Sequence, residues 1–212
     1  MSARSKIWLF PVLLYGLFTV SYTAVRGPLS DAEVSDFMAA MQANQSEPEV
    51  IAFIEEFARA DTGRQFIMLN AIDYNDNPGF VAGAAPGEDA EALMGRYMAH
   101  MIPALLIRAS HPLFMGPAVY PAIDVVGIEG AENWNAGALM RYRSRRDFLE
   151  IVTNPAFKGK HHFKAAALEK TIAYPIEPDL QLGDPRLLLG LLLLALTALT
   201  DLVRLSSQSS RQ

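Results

Sequence analysis

Two mainly apolar stretches, Ile7 to Val25 and Leu187 to Leu205, bracket about 160 residues in which hydrophobic and polar positions are mixed as in a globular domain. Each stretch holds 19 residues, which at 1.5 Å per residue is roughly 28 Å of helix, close to the thickness of a bilayer's hydrocarbon core. The pattern predicts two transmembrane helices, 7–25 and 187–205, with short tails 1–6 and 206–212. Arg4 and Lys6 precede the first stretch, and Arg204 and Arg211 lie at or beyond the end of the second. The positive-inside rule then places both tails in the cytoplasm and the intervening domain across the plasma (inner) membrane, in the periplasm or outside the cell. A cleaved signal peptide is the rival for residues 1–25. Tyr22-Thr23-Ala24-Val25-Arg26 lacks the small-x-small pattern of a cleavage site, which favours an uncleaved anchor.

Between the stretches, residues 26–64 read as two helices. Ser30 with Glu33 and Ser46 with Glu49 have the spacing of capping boxes, Pro48 suits a first turn, and Gly63 supplies a stop. Residues 65–176 carry a mixed pattern. Phe66 to Ile72 is a short apolar run interrupted by Asn70, and Asp76 to Gly87 is a Gly/Pro/Asn-rich loop. Ala90, Leu93, Met94, Tyr97, Met101 and Leu105 trace one helical face over about 88–108. Leu113 to Ile128 reads as a second strand, Ala136 to Arg143 as a third, Ser144 to Val152 and Phe157 to Lys170 as helix, and Thr171 to Pro175 as a last strand. Residues 177–186 form a linker.

The order β-α-β-β-α-β is the ferredoxin-like plan, an α+β domain whose antiparallel sheet has spatial order 4-1-3-2 and carries both helices on one face. Its second strand lies at an edge, where Pro117 and Pro121 are tolerated because an edge needs no ladder donor on its outer side. The other sheet face needs cover. Apolar residues at both parities of Phe66 to Leu69 point to a homodimer formed through it.

Charge narrows the partners. Arg26 to Arg186 contains 22 acidic and 14 basic side chains, a balance of −8, which argues against nucleic acid. The chain has no cysteine, so disulfides, thiolate chemistry and cysteine metal sites are excluded. No nucleotide, serine-hydrolase or zincin motif occurs, and no cofactor is expected.

Candidate chemistry is sparse. His161 and His162 are adjacent, so on a helix they point about 100° apart and do not share a metal. His162 and Glu169 share a helical face if the helix runs that far, and a metal or acid/base site there would also need a group such as His100. No metal site is expected. His162 and Tyr97 are the weak catalytic candidates, set against a structural role for each. Arg141, Arg143, Arg145 and Arg146 converge on a strand end and a helix start. They would suit an anion, or pair internally with Asp147 and Glu150. Asn70 and Tyr97, polar among apolar neighbours, would orient a small ligand or satisfy a structural hydrogen bond. In the second span Gly190, Leu194, Thr197 and Asp201 form one stripe. Asp201 would pair with Arg204, and the stripe would pack on the first span through Gly16 or on another membrane subunit.

Met68-Leu69-Asn70, the segment Trp134 to Arg146 (WNAGALMRYRSRR), and Thr153-Asn154-Pro155 to Ala167-Leu168-Glu169-Lys170 resemble the dimeric α/β-barrel superfamily, most of all its small bacterial branch of unknown function. The resemblance spans roughly Gln65 to Pro175. It implies a ferredoxin-like fold and dimerisation. Relatives there include small monooxygenases, muconolactone isomerases and haem-dependent peroxidases, and none of their catalytic residues carries over by position. Asn70, Tyr97, Trp134, Arg141, Arg143 and His162 make up the candidate ligand-binding set. Two functions are expected: a membrane-tethered, noncatalytic barrel that binds a small ligand or serves as an accessory subunit, or a cofactor-independent monooxygenase or isomerase acting on a small apolar or aromatic substrate.

Overall fold

The computed structural model describes residues 3–209. Arg211, one of the charges assigned to the cytoplasmic tails, lies outside the described residues. The chain divides into two units, residues Arg26–Glu177 and the pair of terminal segments.

The larger unit has the ferredoxin-like arrangement. Its strands β1 (Phe66–Tyr74), β2 (His111–Pro117), β3 (Ala136–Tyr142) and β4 (Leu168–Ile176) form one antiparallel sheet of order β2-β3-β1-β4. Helix α4 (Ala90–Leu106) joins β1 to β2, and α5 (Arg145–Val152) with α6 (Pro155–Ala167) joins β3 to β4. Two further helices precede the sheet, α2 (Asp31–Ala43) and α3 (Pro48–Arg59).

Helix starts follow local chemistry. Ser30 and Glu33 make the full capping box of α2. The second box does not form. Glu47 is the N-cap of α3, with no side-chain bond, and Pro48 opens the first turn. Gly63 turns the chain back at φ +73°, where a Cβ would lie 2.7 Å from the carbonyl carbon of Gly27, so only glycine fits.

Two elements end earlier than their hydrophobic patterns imply. β2 stops at Pro117, not Ile128, because a proline nitrogen gives the ladder no donor. Residues 118–135 form a loop that exposes Val119, Tyr120, Ile123 and Val126. α6 ends at Ala167, and Leu168 to Lys170 already belong to β4, paired with Asp73 and Tyr74 of β1. Glu169 therefore shares no helical face with His162. Strand pairing of this segment wins over its helical propensity.

β1 sends Phe66, Met68, Asn70 and Ile72 to the face covered by helices, opposite Tyr142, Met140, Ala138 and Ala136 of β3. Phe66 stacks on Tyr142 at 5.0 Å between ring centroids, and Phe57 and Phe148 meet the pair edge-on. A second apolar cluster, Val34, Met38, Met41, Ala58 and Leu149, fastens α2 and α3 to α5. The opposite sheet face carries Ile67, Leu69 and Ala71, flanked by Phe114 of β2 and by Ile172, Tyr174 and Ile176 of β4. Phe114 is 61% exposed and Tyr174 47%. Around Leu69, Phe114 and Tyr174 that face is apolar and open, while at the Ile67 end it carries the buried Arg141.

The smaller unit is an antiparallel pair, α1 (Ala3–Tyr22) and α7 (Pro185–Ser209), both long and apolar enough to cross a membrane. Asp201 accepts hydrogen bonds from Arg4 Nε at 2.8 Å and Trp8 Nε1 at 3.3 Å, so its partner is the first helix and not Arg204. Gly190 receives the ring of Tyr15, at 3.2 Å from where its Cβ would be, while Gly16 faces nothing within 4 Å. The stripe of small and polar residues thus closes a hairpin within the chain.

Candidate functional site

Between the inner sheet face and helices α4 and α6 lies a cavity of about 300 Å³. Alternation along β1 aims Met68, Asn70, Ile72 and Tyr74 into it, and β3 and β4 contribute small residues, Ala138 and Ala173, that leave the space unfilled. Met94, Met98 and Met101 enter from α4 at helical spacing, joined by Met115 of β2 and Met140 of β3. Six of the nine methionines in the chain line this one space. Flexible, polarisable thioethers suit a cavity whose walls adapt to an apolar guest. A second cavity of about 570 Å³ lies between α3, α4, α5 and α6, and the two share Tyr97, Met101, Phe148, Val152 and His161.

The polar groups of the first cavity are few. The ring of Tyr97 meets the imidazole of His161 edge-on at 6.1 Å, and Lys164 Nζ lies 5.8 Å from the centre of that ring. His161 and Lys164 are three residues apart on α6, so they share a face. Burial pushes the Tyr97 phenol up to about 12, which keeps it protonated and able to donate. Burial also raises the phenol of Tyr142. Lys164 is lowered from its ordinary value because its ammonium is stripped of water. The His161 imidazole, which remains open to solvent at the rim, is lowered first by desolvation and then by the charge of Lys164. Among the described residues no carboxylate lines this cavity. Among the described residues no group of three His, Cys, Asp or Glu side chains is placed to hold a metal ion.

The candidate residues drawn from sequence separate into two groups. Asn70 and Tyr97 line the cavity. Asn70 also donates from Nδ2 to the carbonyl oxygens of Met68 at 3.0 Å and Ala138 at 3.4 Å, which fixes the orientation of its amide. His162 lies outside this cavity, lines only the larger one, and its Nε2 sits 2.9 Å from the Ala82 carbonyl oxygen. Its neighbour His161 occupies the inward position instead, because the helix turns about 100° per residue.

Trp134, Arg141 and Arg143 lie elsewhere. Trp134 donates to Ala131 O at 2.8 Å and carries the Lys170 ammonium 5.0 Å from its ring. Arg141 is fully buried on the opposite parity of β3, donating to Gln65 Oε1 at 2.8 Å and to Ala109 O. Arg143 grips Asp147 with two hydrogen bonds of 2.9 and 2.6 Å. Arg145 stacks on Phe57 and donates to Phe57 O and to Glu177. Arg146 is 6% exposed and donates to both oxygens of Glu33 and to the carbonyls of Gly27 and Pro28. Glu150, a suggested partner of this run, takes Arg108 instead, at 2.9 Å. The arginine run is a structural clamp. Arg146 holds the Glu33 carboxyl down to about 2, with the Ser30 amide assisting.

Lys164 is absent from the candidates drawn from sequence, His161 enters them only as the neighbour of His162, and Met94 and Met101 only as part of an apolar helical face. A signal for them exists: Met94, Met98 and Met101 recur at i, i+4 and i+7, and Lys164 sits inside the apolar segment Phe163 to Ala167.

The fold has counterparts among solved structures. The chain is similar to RPA0582, a protein of unknown function from Rhodopseudomonas palustris, with 16% identity, a TM-score of 0.51, and coverage of 64% of this chain and 96% of that one. The methylated form of the same protein gives 18% identity, a TM-score of 0.51, and coverage of 66% and 96%. A dimeric ferredoxin-like protein of unknown function from Bacteroides fragilis matches at 13% identity and a TM-score of 0.32, covering 54% of this chain and 96% of that one. No family model matches the chain, and no curated protein does. The shared property is the fold.

Proposed function

We propose that this chain is a membrane-tethered, noncatalytic binding domain that holds a small, largely apolar molecule between its sheet and helices. The observation that carries the reading is the methionine-lined cavity, closed by the sheet and two helices and furnished with a few convergent polar groups. The two long apolar helices support tethering through two passes, both termini cytoplasmic by the flanking charges, with the domain periplasmic or extracellular. The open apolar sheet face supports a homodimer built through Leu69, Phe114 and Tyr174. Accessory service in a larger membrane assembly is the remaining element, and the exposed outer surfaces of α1 and α7 would carry it.

A second reading, a cofactor-independent isomerase or monooxygenase, draws on the Tyr97, His161 and Lys164 cluster. Purification of the native chain in mild detergent followed by mass spectrometry of intact assemblies separates the readings. A homodimer that retains a small molecule unchanged supports the binding domain. A larger assembly with nothing retained supports the accessory role alone, and turnover of an aromatic or quinone-like compound by the isolated dimer overturns the noncatalytic reading.

A further inference from the structure

Lys164 is the cation of the main cavity, and its surroundings give it no counter-ion. It is half-buried on α6, its stem lies among methionine and tyrosine side chains, and among the described residues no carboxylate comes within ion-pair distance of it. The contrast is with five arginines of the unit, since Arg96, Arg108, Arg143, Arg145 and Arg146 each meet a carboxylate. An ammonium partly drawn out of water without a counter-ion is costly, and a fold that carries 22 acidic side chains between Arg26 and Arg186 has many with which to neutralise it. His161, three residues earlier on the same face, adds a second group that gains a proton more readily beside negative charge, and the protonated Tyr97 phenol adds a donor.

We propose, resting on the binding-domain reading above, that the ligand of this cavity is a small organic monoanion. A carboxylate group is received by Lys164, with His161 and Tyr97 alongside, and an apolar aliphatic or aromatic body lies against the methionines. Volume sets the size. At about 30 Å³ per water molecule of liquid, 300 Å³ corresponds to roughly ten non-hydrogen atoms. The adjoining larger cavity, reached past Tyr97 and His161, accommodates a longer tail. The net charge of −8 over Arg26 to Arg186 disfavours polyanions, so a single negative charge on a compact body is the matching chemistry.

The test uses the full chain in zwitterionic lipid nanodiscs and three probes of one skeleton: 3-phenylpropionate, 3-phenylpropanol and 3-phenylpropylamine. Binding is read by calorimetry. The carboxylate is expected to bind at least tenfold more tightly than the alcohol, and the amine more weakly still. Lys164→Met is expected to remove the carboxylate's advantage over the alcohol, and a cooperative unfolding transition in the same nanodiscs shows that the variant is folded. Lys164→Arg is expected to restore the preference. Equal binding of the three probes, or a carboxylate preference that survives Lys164→Met, would overturn the anion assignment while leaving the cavity as a binding site. Failure of the folded wild-type protein to bind any of the three overturns the binding-domain reading itself.

Discussion

Positive charge is placed in two ways in this domain. At the junction of β3 and α5 four arginines crowd into six residues, and each is answered: Arg141 by a glutamine and a carbonyl, Arg143 by Asp147, Arg145 by Glu177, Arg146 by Glu33. On α6 a single lysine faces an apolar cavity and no carboxylate answers it. The dense cluster would suit either an anion or internal pairing by its sequence and is a clamp in three dimensions. The lone lysine is inconspicuous in the sequence and stands where a ligand fits. Satisfied charge maintains a fold, whereas unsatisfied charge at a cavity is a cost that a ligand can offset.

Removal of Arg146 has the largest expected effect on that contrast. Arg146→Met strips the Gly27 and Pro28 carbonyls of their guanidinium donor and leaves Glu33 with only Arg26 and Ser30 as donors, and a loss of about 3 kcal/mol is expected, or roughly 6–12 °C in Tm for a unit of this size. Scanning calorimetry of the full chain checks it, and an unchanged Tm would mean the clamp is ornamental. Next comes the open sheet face. Leu69→Asp places a charge at the centre of the proposed dimer contact and should weaken association by about a hundredfold, roughly 2.7 kcal/mol. Sedimentation in detergent decides it, and an undisturbed dimer would move the interface elsewhere, for example to the exposed loop 118–135.

A smaller effect appears with acid. The carboxyl of Glu33 is depressed from 4.5 to about 2 in the folded state, so its contribution is present above pH 4.5 and is lost as pH falls from 4.5 through about 2. Solvent reaches roughly a quarter of the side chain, so screening reduces the contribution to about 1–2 kcal/mol. Unfolding measured against pH should show a steeper acid limb for wild type than for Glu33→Gln. Arg146→Met should remove most of that difference.

Lys164 should give the smallest change, and one of opposite sign. Because its folded-state pKa lies below 10.5, the unfolded chain binds more protons between the two values, so wild-type stability rises as pH climbs toward 10.5. Lys164→Met should remove that rise and, at neutral pH without ligand, leave stability unchanged or raised by up to about 1 kcal/mol. A clear loss of stability in Lys164→Met would show that the lysine belongs with the arginines, and the contrast between the two regions would dissolve.

Much of the fold is legible along the chain because it depends on neighbours in sequence. The apolar run Phe66 to Ile72, the 3.6-residue rhythm of Ala90 to Leu105, the Ser30 cap and the prolines after Leu113 each act within a few residues, and together they agree with the observed sheet order. Local signals are overridden where pairing with a distant segment wins. Leu168 to Lys170 carries on a helical pattern, yet β1 captures it as strand. Ser46 and Glu49 have the spacing of a cap, but the backbone enters α3 one residue later and leaves that spacing unused.

Length, apolarity and flanking charge by themselves determined the two spanning candidates, the acidic domain between them and the βαββαβ order, because each depends on composition or short-range periodicity. Tertiary structure alone decided which charges are answered and which are not. Glu33 and Arg146 are 113 residues apart, Arg4 and Asp201 are 197 apart, and the methionines of β1, α4, β2 and β3 meet only when the sheet closes under its helices. A side chain's energy in a folded protein depends on its partner and its access to water, and both are properties of chain segments brought together from far apart.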